Sequence, residues 1–161
     1  LSQWGNTLPV NSKLGNDDAH DIYYESLAAG GQPRGELGST VRWGLKAMDK
    51  RGHVASYYRA RSYDEALAWV RNPNGGSVIL GISWYKGFNT PNLLGTVRPT
   101  GNVVGGHCLL WYGASEAYAY WLNSWGSKWG DHGTCRVKHS YAREIINHGG
   151  EAWVAVETPL R

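Results

Sequence analysis

One stretch limits the fold more than any other: residues 105–130, GGHCLLWYGASEAYAYWLNSWGSKWG. Two short apolar alternations of strand length flank a turn signal at Ala114–Glu116, and that pattern predicts an antiparallel hairpin. His107 opens the first strand and Asn123 closes the second, so pairing through the turn brings both side chains to the same edge of the ribbon. An imidazole held by a carboxamide keeps one ring orientation, which suits it to take up and return a proton.

The same residues carry a family resemblance. A Gly-Gly-His at 105–107 is followed by Asn123, Ser124, Trp125 and Gly126, and after two residues by Trp129-Gly130, with Gly133 beyond. Order and spacing resemble the C-terminal half of the papain-like cysteine peptidases. The segment GSTVRWGLKAMDKRG, residues 38–52, resembles a left-lobe helix of the compact bacterial and phage members. The resemblance implies His107 as general base and acid, Asn123 as its orienting amide, and Trp125 as a cover that keeps water from their hydrogen bond. It also implies a thiol kept as thiolate by the imidazolium and a helix N-terminus.

That thiol has no obvious place in this chain. The two cysteines are Cys108 and Cys135, and neither stands upstream at the start of a long helix, where the family carries its nucleophile. Cys108 follows His107 on a strand, and successive strand side chains point to opposite faces. Both cysteines read as small buried hydrophobes on non-adjacent strands, without a disulfide. Residues 1–10, LSQWGNTLPV, fit the family in two ways. Leu1–Leu8 can end the central helix whose start bears the cysteine, which places the nucleophile before Leu1. Alternatively Gln3, Gly5, Asn6 and Thr7 echo the glutamine-containing stretch ahead of it, leaving Pro9 or Val10 in its position. Under both, the chain is expected to be N-terminally truncated relative to the family and inactive by itself.

At 161 residues, the chain supports one compact domain or two small lobes. Nine tryptophans and ten tyrosines against one phenylalanine suit cleft walls and interfaces as well as a core. Net charge is a mild +3 with basic residues scattered, so nucleic acid is not implied. No apolar run is long enough to span a bilayer, and no signal-peptide pattern is present. The six histidines show no paired metal spacing and no phosphate loop follows a strand, so neither metal nor cofactor is expected.

Helices are predicted at 17–29 with Asn16 as N-cap, at 39–51 from Ser39 or Thr40, after Ser62 in a capping-box pattern with Glu65, and after Ser140. Trp43 is expected to look toward the cleft, and His53–Arg61 reads as a connector. Strands are predicted at 77–84, 107–112, 118–123, 134–138 and 152–157, with a loop over 85–104. Helices first and antiparallel strands after them indicate an α+β class. The resemblance makes this a papain-like two-lobed fold in a single domain, 1–161. Its helical left lobe covers about 1–72, and its right lobe, an antiparallel β-sheet or barrel, covers 73–161. In that fold Ser83, Trp84, Gly105 and Gly106 are the substrate-cleft candidates, the two glycines leaving room for a bulky side chain.

Two functional classes follow. The first is a papain-like cysteine peptidase domain acting on a peptide or protein substrate once a nucleophile is supplied. The second is a catalytically dead papain-like module that binds the missing N-terminal segment or a larger assembly, such as a phage particle. A cytoplasmic or virion-associated setting fits a thiol enzyme without disulfides.

Overall fold

The computed structural model describes residues 14–35 and 38–157. In chain order these form α1 (Asn16–Ala29), α2 (Val41–Lys50), β1 (Val54–Arg59), α3 (Tyr63–Arg71) and β2 (Val78–Tyr85). A one-turn 3-10 helix follows (Lys86–Phe88), then β3 (Val103–Ala114), β4 (Tyr118–Leu122), β5 (Thr134–Lys138), α4 (His139–Asn147) and β6 (Glu151–Glu157). Every described ladder is antiparallel, so the class is α+β. The placements proposed for Leu1–Leu8, Pro9 and Val10 lie outside the described residues.

The chain divides into two compact units, Leu1–Arg59 with Trp153–Arg161, and Ala60–Ala152. In the first unit, the N-cap of α1 is Gly15 rather than Asn16. The Asp18 carboxylate accepts the Gly15 N–H at 2.8 Å, and Asp17 and Asp18 in the first turn suit the positive end of the helix dipole. Thr40 caps α2 by accepting the Trp43 N–H at 3.2 Å. The Trp43 ring lies against Gly30, where an added Cβ would come within 2.4 Å of the indole. The two helices are therefore packed through a glycine, and Trp43 spends its face on that contact instead of a cleft. Arg51 binds both Glu25 oxygens at 2.8 and 3.0 Å, with Asp21 and Asp18 further out.

The expected connector 53–61 contains a strand instead. β1 pairs antiparallel with β6 from Val54↔Glu157 to Arg59↔Trp153, with a bulge between Val54 and Ser56. Its run VASYYR is rich in β-formers, but its partner lies almost a hundred residues away. Nothing local announces such a pairing.

In the second unit β2, β3, β4 and β5 form consecutive ladders. β3 begins at Val103, earlier than the sequence suggests, because β2 supplies a template along its whole length, from Val78↔Trp111 to Tyr85↔Val103. Cross-strand partners share a face. Val78, Leu80, Ile82, Leu109, Trp111, Ala119, Trp121, Cys135 and Val137 accordingly form one buried layer. Tyr63 of α3 stacks on Trp111 with centroids 5.1 Å apart. Ser62 caps α3 by accepting the Glu65 N–H, while the Glu65 carboxylate reaches the Arg61 N–H rather than that of Ser62. α4 starts at His139, with Lys138 and not Ser140 at its N-cap.

Candidate active site

His107 and Asn123 meet. The imidazole Nε2 and the carboxamide Oδ1 are 2.8 Å apart, at the end of the β3–β4 hairpin. The same Oδ1 accepts the backbone N–H of Ser124 at 2.8 Å. A backbone N–H can only donate, so that atom of Asn123 is the oxygen, and Nε2 must carry the proton that it accepts. His107 is thereby held in the Nε2–H tautomer, with the Nδ1 lone pair left as its basic atom. Asn123 is 3% exposed and His107 is half-buried. Burial lowers the proton affinity of His107, and the bond to Asn123 opposes part of that effect.

Asn123 is positioned from both sides in sequence. β4 ends one residue earlier, and the Asn123 N–H donates to Gly133 O at 2.9 Å. Between these points the chain makes a compact loop closed by Trp129 N–H to Gly126 O and Gly133 N–H to Trp129 O. Its glycines are required by geometry. Gly126 has φ 80°, and Gly130 has φ 61° with an added Cβ only 2.2 Å from Thr134 O. The recurrent Trp-Gly of the motif is thus a turn that delivers Asn123, Trp125 and Trp129 to one corner.

Aromatic rings enclose the imidazole. Trp84 lies 4.4 Å from it, centroid to centroid, and Trp125 lies 5.2 Å away. Trp125 is 45% exposed, so it covers the imidazole on one side and presents its other surface to solvent. Trp129 is buried behind them and donates its indole N–H to Phe88 O at 3.2 Å.

The four expected cleft residues do not share one wall. Ile82 pairs with His107 and Trp84 with Gly105, whereas Ser83 pairs with Gly106. By the two-residue period of a strand, Trp84 and Gly105 stand on the His107 face, and Ser83 and Gly106 on the opposite one. Trp84 is 3% exposed and backs the imidazole instead of lining open space. A Cβ added at Gly105 or Gly106 would meet nothing within 4 Å, so both positions are open among the described residues.

Neither thiol reaches the free nitrogen. Cys108 pairs with Gly81 on the face away from His107; its side chain is exposed among the described residues, while the depth of its position still raises the proton affinity of its thiol. Cys135 is buried, and burial pushes its thiol up to about 12. Among the described residues no cluster of His, Cys, Asp or Glu could hold a metal ion, and no helix is long and apolar enough to cross a membrane.

Sequence reasoning missed a second histidine with a full set of partners. His139 Nδ1 bonds the Tyr63 hydroxyl and Nε2 bonds Ser115 O at 2.8 Å. No sequence signal links Tyr63 to His139, since the two come from separate helices.

No family model matches the chain, and no curated protein sequence does. Among solved structures, xylellain, a cysteine protease from Xylella fastidiosa, is similar over 86% of this chain and 69% of its own, with TM-score 0.69 and 20% identity. The cysteine protease CMS1MS2 of Carica candamarcensis matches 66% of this chain with 50% of its own length, at TM-score 0.49 and 17% identity. Bromelain from Ananas comosus matches 65% with 51% of its length, at TM-score 0.48 and 16% identity. The chain spans about half the length of the two plant enzymes. Its likeness to xylellain shows the papain-like cysteine protease fold.

Proposed function

We propose that residues 1–161 carry the proton-transfer half of a papain-like cysteine peptidase. His107 Nδ1 takes the proton of a thiol nucleophile and later returns it to the leaving amine. Asn123 holds the ring, and Trp125 shields their hydrogen bond. The observation that carries this reading is the shared Oδ1 of Asn123, which fixes Nε2 as donor and leaves Nδ1 basic. A carboxamide does this without the negative charge of a carboxylate, so the proton balance stays with the thiol and the imidazole.

The nucleophile in this reading is not Cys108 or Cys135 and comes from outside residues 1–161. Peptides bound at the site would meet Gly105, which shares the His107 face and where an added Cβ meets no described residue within 4 Å. Residues 1–161 alone are then inert toward peptides. The test joins the chain to the residues encoded directly ahead of it. A cysteine there, followed by peptide hydrolysis that His107→Ala reduces by about 10²–10⁴-fold, supports the peptidase. Hydrolysis by residues 1–161 alone, lost in His107→Ala, contradicts the assignment of the nucleophile.

The placement of the two thiols favours a second reading, a papain-like module that binds a partner without chemistry, for instance within a phage particle. It has no use for a basic Nδ1. A full-length polypeptide with no cysteine ahead of Leu1, and with unaltered partner binding in His107→Ala, selects this reading.

A further inference from the structure

The bond to Asn123 anchors His107 at Nε2, and the tilt of the ring plane is set as well by what packs against its faces. Trp84 is the nearest ring, 4.4 Å from the imidazole with the planes at 54°, and it shares the His107 face of the β2–β3 ladder. The residue paired with Trp84 is Gly105, and an added Cβ there would meet none of the described residues within 4 Å. The indole therefore leans along the face toward His107 rather than across to its own partner.

Trp84 is itself immobilised. Its Nε1–H donates to Asn89 Oδ1 at 2.8 Å, and Asn89 follows the 3-10 turn Lys86–Phe88, its N–H bonded to Lys86 O at 3.1 Å. Phe88 meets the indole edge-on at 5.0 Å, and Trp125 does so at 5.1 Å. A hydrogen bond on the indole nitrogen selects one of the ring orientations that packing alone would leave available.

We propose that Trp84 and Asn89 are positioning residues for His107: Asn89 locks the indole, and the indole sets the imidazole plane in which Nε2 reaches Asn123. The assignment rests on the reading of His107 as the proton-transfer group, but its structural content does not depend on catalysis. Asn89 touches neither His107 nor Asn123 by any hydrogen bond in the described structure, so its influence would pass through Trp84.

The experiment is nitrogen-15 NMR of the His107 ring in residues 1–161 at neutral pH, which reads the tautomer without any activity. The parent chain should show a single Nε2–H tautomer with a slowly exchanging ring proton. Trp84→Leu should lose the single tautomer and the slow exchange. Asn89→Ala, at an exposed position that leaves the core in place, should show the same loss in weaker form, and Trp84→Phe should recover part of it. Unchanged tautomer and exchange in a folded Asn89→Ala chain would overturn the role of Asn89. The same result in folded Trp84→Leu would overturn the whole proposal. Failure of the peptidase reading would appear instead as absent hydrolysis in the nucleophile-bearing polypeptide, with these NMR differences intact.

Discussion

Two imidazoles in the Ala60–Ala152 unit are anchored alike at Nε2 and differently at Nδ1. His107 donates to Asn123 Oδ1 and His139 to Ser115 O, both at 2.8 Å. At His139 the second nitrogen receives the Tyr63 hydroxyl. Burial pushes that phenol up to about 12, so it stays protonated and is the donor. At His107 the second nitrogen has no hydrogen-bond partner among the described residues. The difference separates structure from chemistry. An imidazole with both nitrogens satisfied ties elements together, here α3, α4 and the hairpin turn. One with a fixed tautomer and an open lone pair can move a proton.

Four tests probe that contrast. The largest effect is expected at His107, where replacement by Ala should reduce hydrolysis by the nucleophile-bearing polypeptide about 10²–10⁴-fold. The same change should shift unfolding free energy by less than about 1 kcal/mol, because the ring is only half-buried. Urea unfolding read beside the activity assay separates the two. At the other imidazole the pattern should invert. Tyr63→Ala removes a fully buried ring stacked on Trp111 and should destabilise by roughly 3–5 kcal/mol. Tyr63→Phe keeps the ring but leaves His139 Nδ1 without its donor, at about 1–2 kcal/mol in the same titration.

The third contrast is charge. Asn123→Asp places a carboxylate where the amide oxygen now sits, 2.8 Å from Nε2. The His107 titration should then move upward by about one pH unit or more, followed by NMR. A titration that stays where it is would show that Asn123 is not the group facing the ring in solution. The smallest effect concerns pH. Burial holds the His107 proton affinity below the ordinary imidazole value, so the unfolded chain takes up its proton first as pH falls. The stability contributed by the neutral ring is complete above about pH 6.5 and is lost as pH falls through the folded value. Unfolding free energy measured from pH 8 to 5 should decline less in His107→Gln than in the parent chain.

The sequence discloses local features far better than distant ones. The His107–Asn123 meeting was legible because one hairpin holds both residues, with the turn at Ala114–Glu116 between them; the bulge between Trp111 and Gly113 was not. The glycines at 126, 130 and 133 mark the loop behind it for the same reason. β1 was not legible, because its partner β6 lies at the other end of the chain. The early start of β3 was hidden by Gly105 and Gly106, which weaken a strand pattern that β2 nonetheless templates from across the ladder. The role of Trp84 needed register as well as period. Its distance along β2 from the motif says nothing until Ile82 is seen opposite His107 and Trp84 opposite Gly105.

The decisive measurement is the ring state of His107. In residues 1–161 at neutral pH, nitrogen-15 shifts should place the proton on Nε2 and leave Nδ1 bare, with coupling across the hydrogen bond to the Asn123 carboxamide. A proton found on Nδ1, or two tautomers exchanging freely as in an unrestrained histidine, would contradict it.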